Sequence, residues 1–182
     1  MSYYETIYEC AADNFGLITS AKARALGVPN IELVKLSHRG RLIRVGHGVY
    51  RIDHYIPTPL DKYAEAVTLT GESAYIFGES VLAMHGLAFV NPAAILVATT
   101  KRIRKDLPRY IKPLYRTEKD HVTHYEGIPS QNIVSAILSC RESIMTERLE
   151  HAADEARKQG LITQKETECV KEALRNGRQD SK

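Results

Sequence analysis

Three cysteines are all this chain has, and Cys10, Cys140 and Cys169 stand far apart, in no Cys-x-x-Cys or Cys/His spacing. An odd, scattered set argues against a disulfide framework or a cysteine-built zinc site, and it fits a reducing cytosol. Apolar runs are scarce too. None approaches the roughly 18 residues that a membrane helix needs, and the opening MSYYETIYEC has neither the basic nor the apolar region of a secretory signal. The expectation is a soluble, cytoplasmic protein. The short motifs of nucleotide and hydrolase chemistry are also missing: there is no GxGxxG, no GxxxxGK followed by Ser or Thr, and no GxSxG around Ser80 or Ser139. His85, His121 and His124 remain as candidate acids or bases. His121 and His124 would point to opposite faces of a strand, which gives no metal-ligand pattern. No catalytic residue, metal or cofactor is expected, and the chain reads as a non-enzyme.

Net charge is low, +3 over 182 residues, but it is unevenly spread. From Ser20 to Arg51 seven basic residues face one acid, Glu32, and from Lys101 to Lys119 eight face two, whereas the tail from Arg141 onward is balanced. Two basic concentrations in an otherwise neutral chain are the footprint of a polyanion-binding surface.

The first concentration ends in RGRLIRVGHGVYR. Arg41 to Val45 and Val49 to Ile52 have strand character, and Gly46-His47-Gly48 between them is a glycine-containing hairpin loop. Three helices are expected upstream. Tyr4, Ile7, Tyr8 and Ala11 recur at helical spacing, SAKARAL follows a cap at Thr19 or Ser20 and stops at Gly27, and PNIELVKLSHR begins with a proline and closes at Gly40. With the short apolar run Leu17-Ile18 after the first helix, this is the order of a winged helix-turn-helix. Such a module sets its third helix in the major groove of DNA and lays its hairpin, the wing, along the phosphates. Lys22, Arg39, Arg41, Arg44 and Arg51 are then phosphate contacts, and His47 at the wing tip enters the minor groove. The bland reading is a hairpin with solvated arginines.

On the third helix, Leu33, Leu36 and Gly40 fall on one side at 100° per residue, and Asn30, Ile31, Val34, Lys35 and His38 on the other. Asn30 suits adenine, Lys35 guanine or phosphate, and Ile31 or Val34 a thymine methyl. Two aliphatics on a reading face are unusual, so a rotated helix with Ile31 and Val34 buried stands as the alternative.

After the proline-punctuated Tyr55-Ile56-Pro57-Thr58-Pro59 the pattern changes, which places a boundary at residue 56. LDKYAEAVTLT and ESVLAMHGL read as helices, AILVATT, YIKPLYR and HVTHYEGI as strands, and SQNIVSAILSC and most of Arg141 to Leu174 as helix again. The fold class is α+β: a winged helix-turn-helix over 1–56, then a larger mixed α/β domain over 57–182 with a helical tail from 141. Glu65, Glu72 and Glu79 read as surface acids. KRIRKDLPRY supplies a second basic patch, Lys101, Arg102, Arg104, Lys105 and Arg109, suited to phosphates beside the wing, to RNA, to an acidic protein, or only to solvent. Gly160-Leu161-Ile162-Thr163 repeats Gly16-Leu17-Ile18-Thr19 and marks the same local event, a helix ending at glycine before a capped helix.

The run GLITSAKARALGVPNIELVKLSHRGRLIRVGHGVYR, followed in order by LTGESAYIFGESVLAMHGL, AILVATTKRIRKDL and YEGIPSQNIVSAIL, resembles the AbiEi-family antitoxins of bacterial abortive-infection systems over about residues 5 to 140. The resemblance implies a type IV antitoxin of phage defence that represses its own operon by binding promoter inverted repeats. It also implies a functional link, without a stable complex, to a nucleotidyltransferase-like toxin encoded next door. Carried onto this chain, the recognition helix offers Asn30, Ile31, Lys35 and His38, and the wing Arg41, Arg44, His47 and Arg51. This chain departs from the family at Asn30, Val34 and His38, where arginine is frequent, and in its tail after Cys140. One inverted repeat suits two protomers on half-sites about a helical turn apart, and a monomer in solution stands beside that. Two other readings compete: a free-standing winged-helix regulator with no toxin partner, and an enzyme that binds substrate on the 101–109 loop and uses His121, His124 or Glu126.

Overall fold

The computed structural model describes residues 2–116 and 121–176. Lys119 of the second basic stretch and the last six residues of the expected helical tail lie outside them. The described chain is α+β and forms two compact units. Residues up to Glu72 together with Ile103–Leu107 make the first, and Ser73–Arg102 with the chain from Pro108 onward makes the second.

The first unit is a winged helix-turn-helix: α1 (Tyr3–Ala12), β1 (Leu17–Thr19), α2 (Ser20–Ala25), α3 (Asn30–His38), β2 (Leu42–Gly46) and β3 (Val49–Ile52). Its helix starts follow from local chemistry. Ser2 and Glu5 satisfy each other's backbone N–H groups ahead of α1, and the Thr19 hydroxyl accepts from Lys22 N ahead of α2. Pro29 precedes α3 in an extended conformation, so its missing N–H removes nothing from the helix. The three strands form an antiparallel sheet in the order β1-β3-β2, with a bulge between Arg44 and Gly46 before the turn. Ile7, Ala11, Ile18, Ala23, Val28, Leu33, Leu36, Leu42, Tyr50 and Ile52 close one core over one face of the sheet. Each buried leucine or isoleucine there contributes about 1.5–3 kcal/mol relative to its exposed state.

The other face of that sheet is why the first unit runs past residue 56. The helix α4 (Asp61–Thr70) belongs to this unit and packs on β1, and Leu17 and Val49 are buried. It comes so close that a Cβ added at Gly46 would collide with Leu69 Cδ2. The proline-rich stretch at 55–59 is therefore a turn inside the unit, held by hydrogen bonds from Tyr55 and Thr58 to Asp61. Glu65, expected as a surface acid, is turned inward on α4, with 19% of its side chain exposed.

The second unit holds a mixed five-stranded sheet in the order β6-β5-β4-β8-β7. Its strands are β4 (Tyr75–Ile76), β5 (Ile95–Thr99), β6 (Ile111–Tyr115), β7 (Val122–Tyr125) and β8 (Ile128–Gln131). HVTHYEGI proves to be a hairpin, since Glu126 and Gly127 at φ 49° and 82° turn the chain between β7 and β8. Ser130 and Gln131, expected in a helix, end β8, and the helix begins only after Asn132, whose side chain caps it. Gln131 fixes this junction: its Oε1 accepts from Gly78 N at 3.1 Å and its Nε2 donates to Ser139 Oγ at 3.0 Å. The helices are α5 (Glu79–Met84), α6 (Ile133–Ser139), α7 (Thr146–Lys158) and α8 (Gln164–Asn176). The last two pair through Lys171–Asp154 and Arg175–Glu150 ion pairs at 2.6 and 2.8 Å. The repeated Gly-Leu-Ile-Thr does mark the same event twice, because Thr163 caps α8 in a reciprocal box with Glu166 as Thr19 caps α2.

Candidate nucleic-acid interface

The helix α3 buries Leu33 and Leu36 and leaves Asn30, Ile31, Val34, Lys35 and His38 exposed. Ile31 is 58% and Val34 40% exposed, which excludes the rotated alternative. The two aliphatics stay outside because i, i+3 spacing gives Leu33 and Leu36 the core, and one face of a nine-residue helix has no room for four. Lys35 is held at 2.7 Å by Glu32 on its own helix, an exposed pair of small energetic weight that a stronger anion would displace.

The N-terminal half of α3 opens onto a cleft of 580 Å³ whose lining includes Arg24, Asn30, Val34, Arg44, His47 and Lys105. Its positive groups come from three parts of the first unit: α2, the wing, and the segment Ile103–Leu107. Glu72 is the one carboxylate on its lining. A helix with amide, apolar and cationic side chains, flanked by separate cations, can read base edges while its neighbours neutralise phosphates.

The expected wing contacts divide. Arg44 and His47 are exposed near the tip, Arg39 is exposed at the end of α3, and Lys22 is exposed on α2. Arg41 stands at the base of the wing, its guanidinium 4.3 Å from the Tyr4 ring centroid. Tyr4 donates to Asp53 at 2.8 Å, and that hydrogen bond is the main reason the Asp53 carboxyl titrates below its ordinary value. Glu5 and Glu9 line the same hollow as Arg41, so its surroundings are partly acidic.

Arg51 does not join the exposed set. Its residue is central in the sheet, paired with Leu17 on one side and Ile43 on the other, on the face that α4 covers. Nη1 lies 3.2 Å from Glu65 and the guanidinium 5.6 Å from the Tyr55 ring. Sequence alone makes it a wing cation because it is one of the arginines of the hairpin, and nothing in those residues shows that α4 lies behind the strand.

The second basic patch is also divided. Arg104 and Lys105 belong to the first unit, and Lys101, Arg102 and Arg109 to the second. Sequence reasoning passed over Arg24 as a site residue. It counted in the basic excess, but its place in the cleft depends on how α2 crosses α3, which periodicity does not encode. Ile43, 55% exposed on the wing, was likewise missed.

In the second unit, burial pushes His85 down to about 4, and its ring lies 4.1 Å from that of Tyr125. His121, His124 and Glu126 are all exposed. Among the described residues no group of three His, Cys, Asp or Glu side chains could hold a metal ion, and no helix is long and apolar enough to cross a membrane.

Residues 5–52, from α1 to the end of the wing, match a family described as "Transcriptional regulator, AbiEi antitoxin". No curated protein matches the chain. The likeness to the AbiEi antitoxin family of transcriptional regulators thus lies in the segment that forms the three helices and the wing.

Proposed function

We propose that the chain is a cytoplasmic DNA-binding antitoxin that represses its own operon at promoter inverted repeats and neutralises a neighbouring nucleotidyltransferase-like toxin. The observation that carries the DNA half is that Asn30 and Val34, on the exposed face of α3, line the same cleft as Arg44 and His47 of the wing. Asn30, Ile31, Lys35 and His38 read bases, while Lys22, Arg39, Arg44 and His47 hold the duplex. DNA binding resides in the first unit and antitoxicity in the second. The toxin half rests on the family match and on the order of the later sequence blocks.

The test is a gel-shift titration of the full chain on its own upstream DNA and on scrambled DNA at two salt concentrations, with co-expression beside the neighbouring toxin. Preference for the native fragment, affinity that falls steeply with salt, and rescue from the toxin are expected. No binding to either fragment, together with an unrelieved toxin, sinks the proposal. The family match ends at residue 52, which favours a second reading, a free-standing winged-helix regulator. DNA binding without a nucleotidyltransferase gene next door selects it.

A further inference from the structure

The connection from β5 to β6 leaves and re-enters the sheet of the second unit, yet its middle, Ile103–Leu107, belongs by contact to the winged-helix unit. Lys105 is half-buried there and lines the cleft that Asn30, Arg44 and His47 also line. Arg104 beside it is exposed. Among the described residues no carboxylate is close enough to form an ion pair with Lys105. Its charge is therefore added to those of Arg24 and Arg44. Three cations from three elements around one groove, against Glu72 alone, make a field that a row of phosphates matches and a single small anion does not.

We infer that Lys105, carried into the winged-helix unit on the β5–β6 connection, is a phosphate-binding residue of the DNA site. This rests on the DNA-binding reading above and extends it to a residue that lies outside the family match at 5–52. The ligand is the sugar-phosphate backbone of duplex DNA. An ammonium on a flexible stem is a point charge with no planar fork, so Lys105 contributes affinity and little base discrimination.

The experiment compares full-length Lys105→Gln and Lys105→Ala with the unsubstituted protein and with Arg44→Ala, on native and scrambled duplexes across a salt series. Glutamine keeps the packed stem and removes the charge, so it remains informative if alanine impairs folding. Loss of one phosphate contact lowers the slope of log affinity against log salt by about 0.9, which is about a fivefold weakening at 0.15 M salt. The weakening is expected to be equal on both duplexes and to be restored by Lys105→Arg. If Arg44→Ala lowers the slope and Lys105→Gln leaves it unchanged, the inference falls and the DNA-binding reading stands. If Lys105→Gln changes sequence preference without changing the slope, the residue reads bases and the inference is again wrong. Failure of the unsubstituted protein to bind either duplex removes both.

Discussion

Arg51 Nη1 lies 3.2 Å from Glu65 Oε2, joining the central strand of the wing sheet to α4. Arg51 Nε and Nη2 are buried and meet no acceptor among the described residues, so the ion pair is the main compensation for burying this charge. Glu65→Ala is expected to cost about 1–3 kcal/mol of stability, the penalty for stranding a buried polar group, read by chemical denaturation. Arg51→Ala is expected to destabilise as well, while the folded fraction keeps the salt slope of the unsubstituted protein on DNA. A slope lowered by a full unit would return Arg51 to the phosphate contacts.

Gly46 and Leu69 test the same seam by shape. Gly46→Ala forces a methyl against Leu69 Cδ2 and is expected to cost about 1–3 kcal/mol. Leu69→Ala alone costs about 2–5 kcal/mol. In the double variant the two losses are expected to sum to less than their separate values, because each relieves the other. Strict additivity would mean that α4 does not press on the wing.

The two exposed arginines of β2 and its approach are expected to behave differently. Arg44 lines the cleft near the wing tip, whereas Arg41 stacks on Tyr4 beside Glu5 and Glu9 at the base. Arg44→Ala is expected to lower the DNA salt slope by about one. Arg41→Ala is expected to leave it nearly unchanged and to lower the thermal midpoint slightly, through loss of a cation–π contact of about 0.5–1 kcal/mol. Equal loss of slope in both would place DNA along the whole wing.

His85 gives the pH dependence. Burial holds its folded-state value at about 4, below the ordinary 6.5 of the unfolded chain. Between those values the unfolded state binds a proton that the folded state refuses. Stability is therefore undiminished above pH 6.5 and lost as pH falls toward 4, at no more than about 1.4 kcal/mol per pH unit. Partial solvent exposure reduces that figure. Between pH 6.5 and 5 the contribution of His85 is read as the difference between the unsubstituted protein and His85→Gln, and the carboxyls with lowered values, among them Glu5, Asp53 and Asp154, titrate below that interval. His85→Gln is expected to flatten the denaturation free energy over that interval. An unchanged slope would assign the effect elsewhere.

The winged helix was legible because each of its signals is local: the helical spacing of Tyr4, Ile7, Tyr8 and Ala11, a cap at Thr19 or Ser20, glycine stops, and the strand character on both sides of a glycine-containing loop. The exposed face of α3 followed from the placement of Leu33 and Leu36. What sequence did not carry depends on elements that meet only in three dimensions. Residues 55–59 look like a linker by composition, yet α4 folds back onto β1, so the unit extends to Glu72 and hides Arg51 and Glu65. The strand β4 is two residues long and buried, too short for any periodicity to show. Ser130 and Gln131 have helical neighbours and were read with them, although pairing with Thr123 and Val122 makes them a strand end.

The first unit draws on two separate lengths of chain, so its genetic boundary is not a single codon. A gene truncated after residue 72 encodes every element of the three-helix module, the wing and α4, yet it omits Ile103–Leu107. Such a fragment would lack Lys105 from the lining of its own cleft. Evolutionary transfer of the module by simple fusion at one point would leave that cation behind, and a new host domain would have to supply its own.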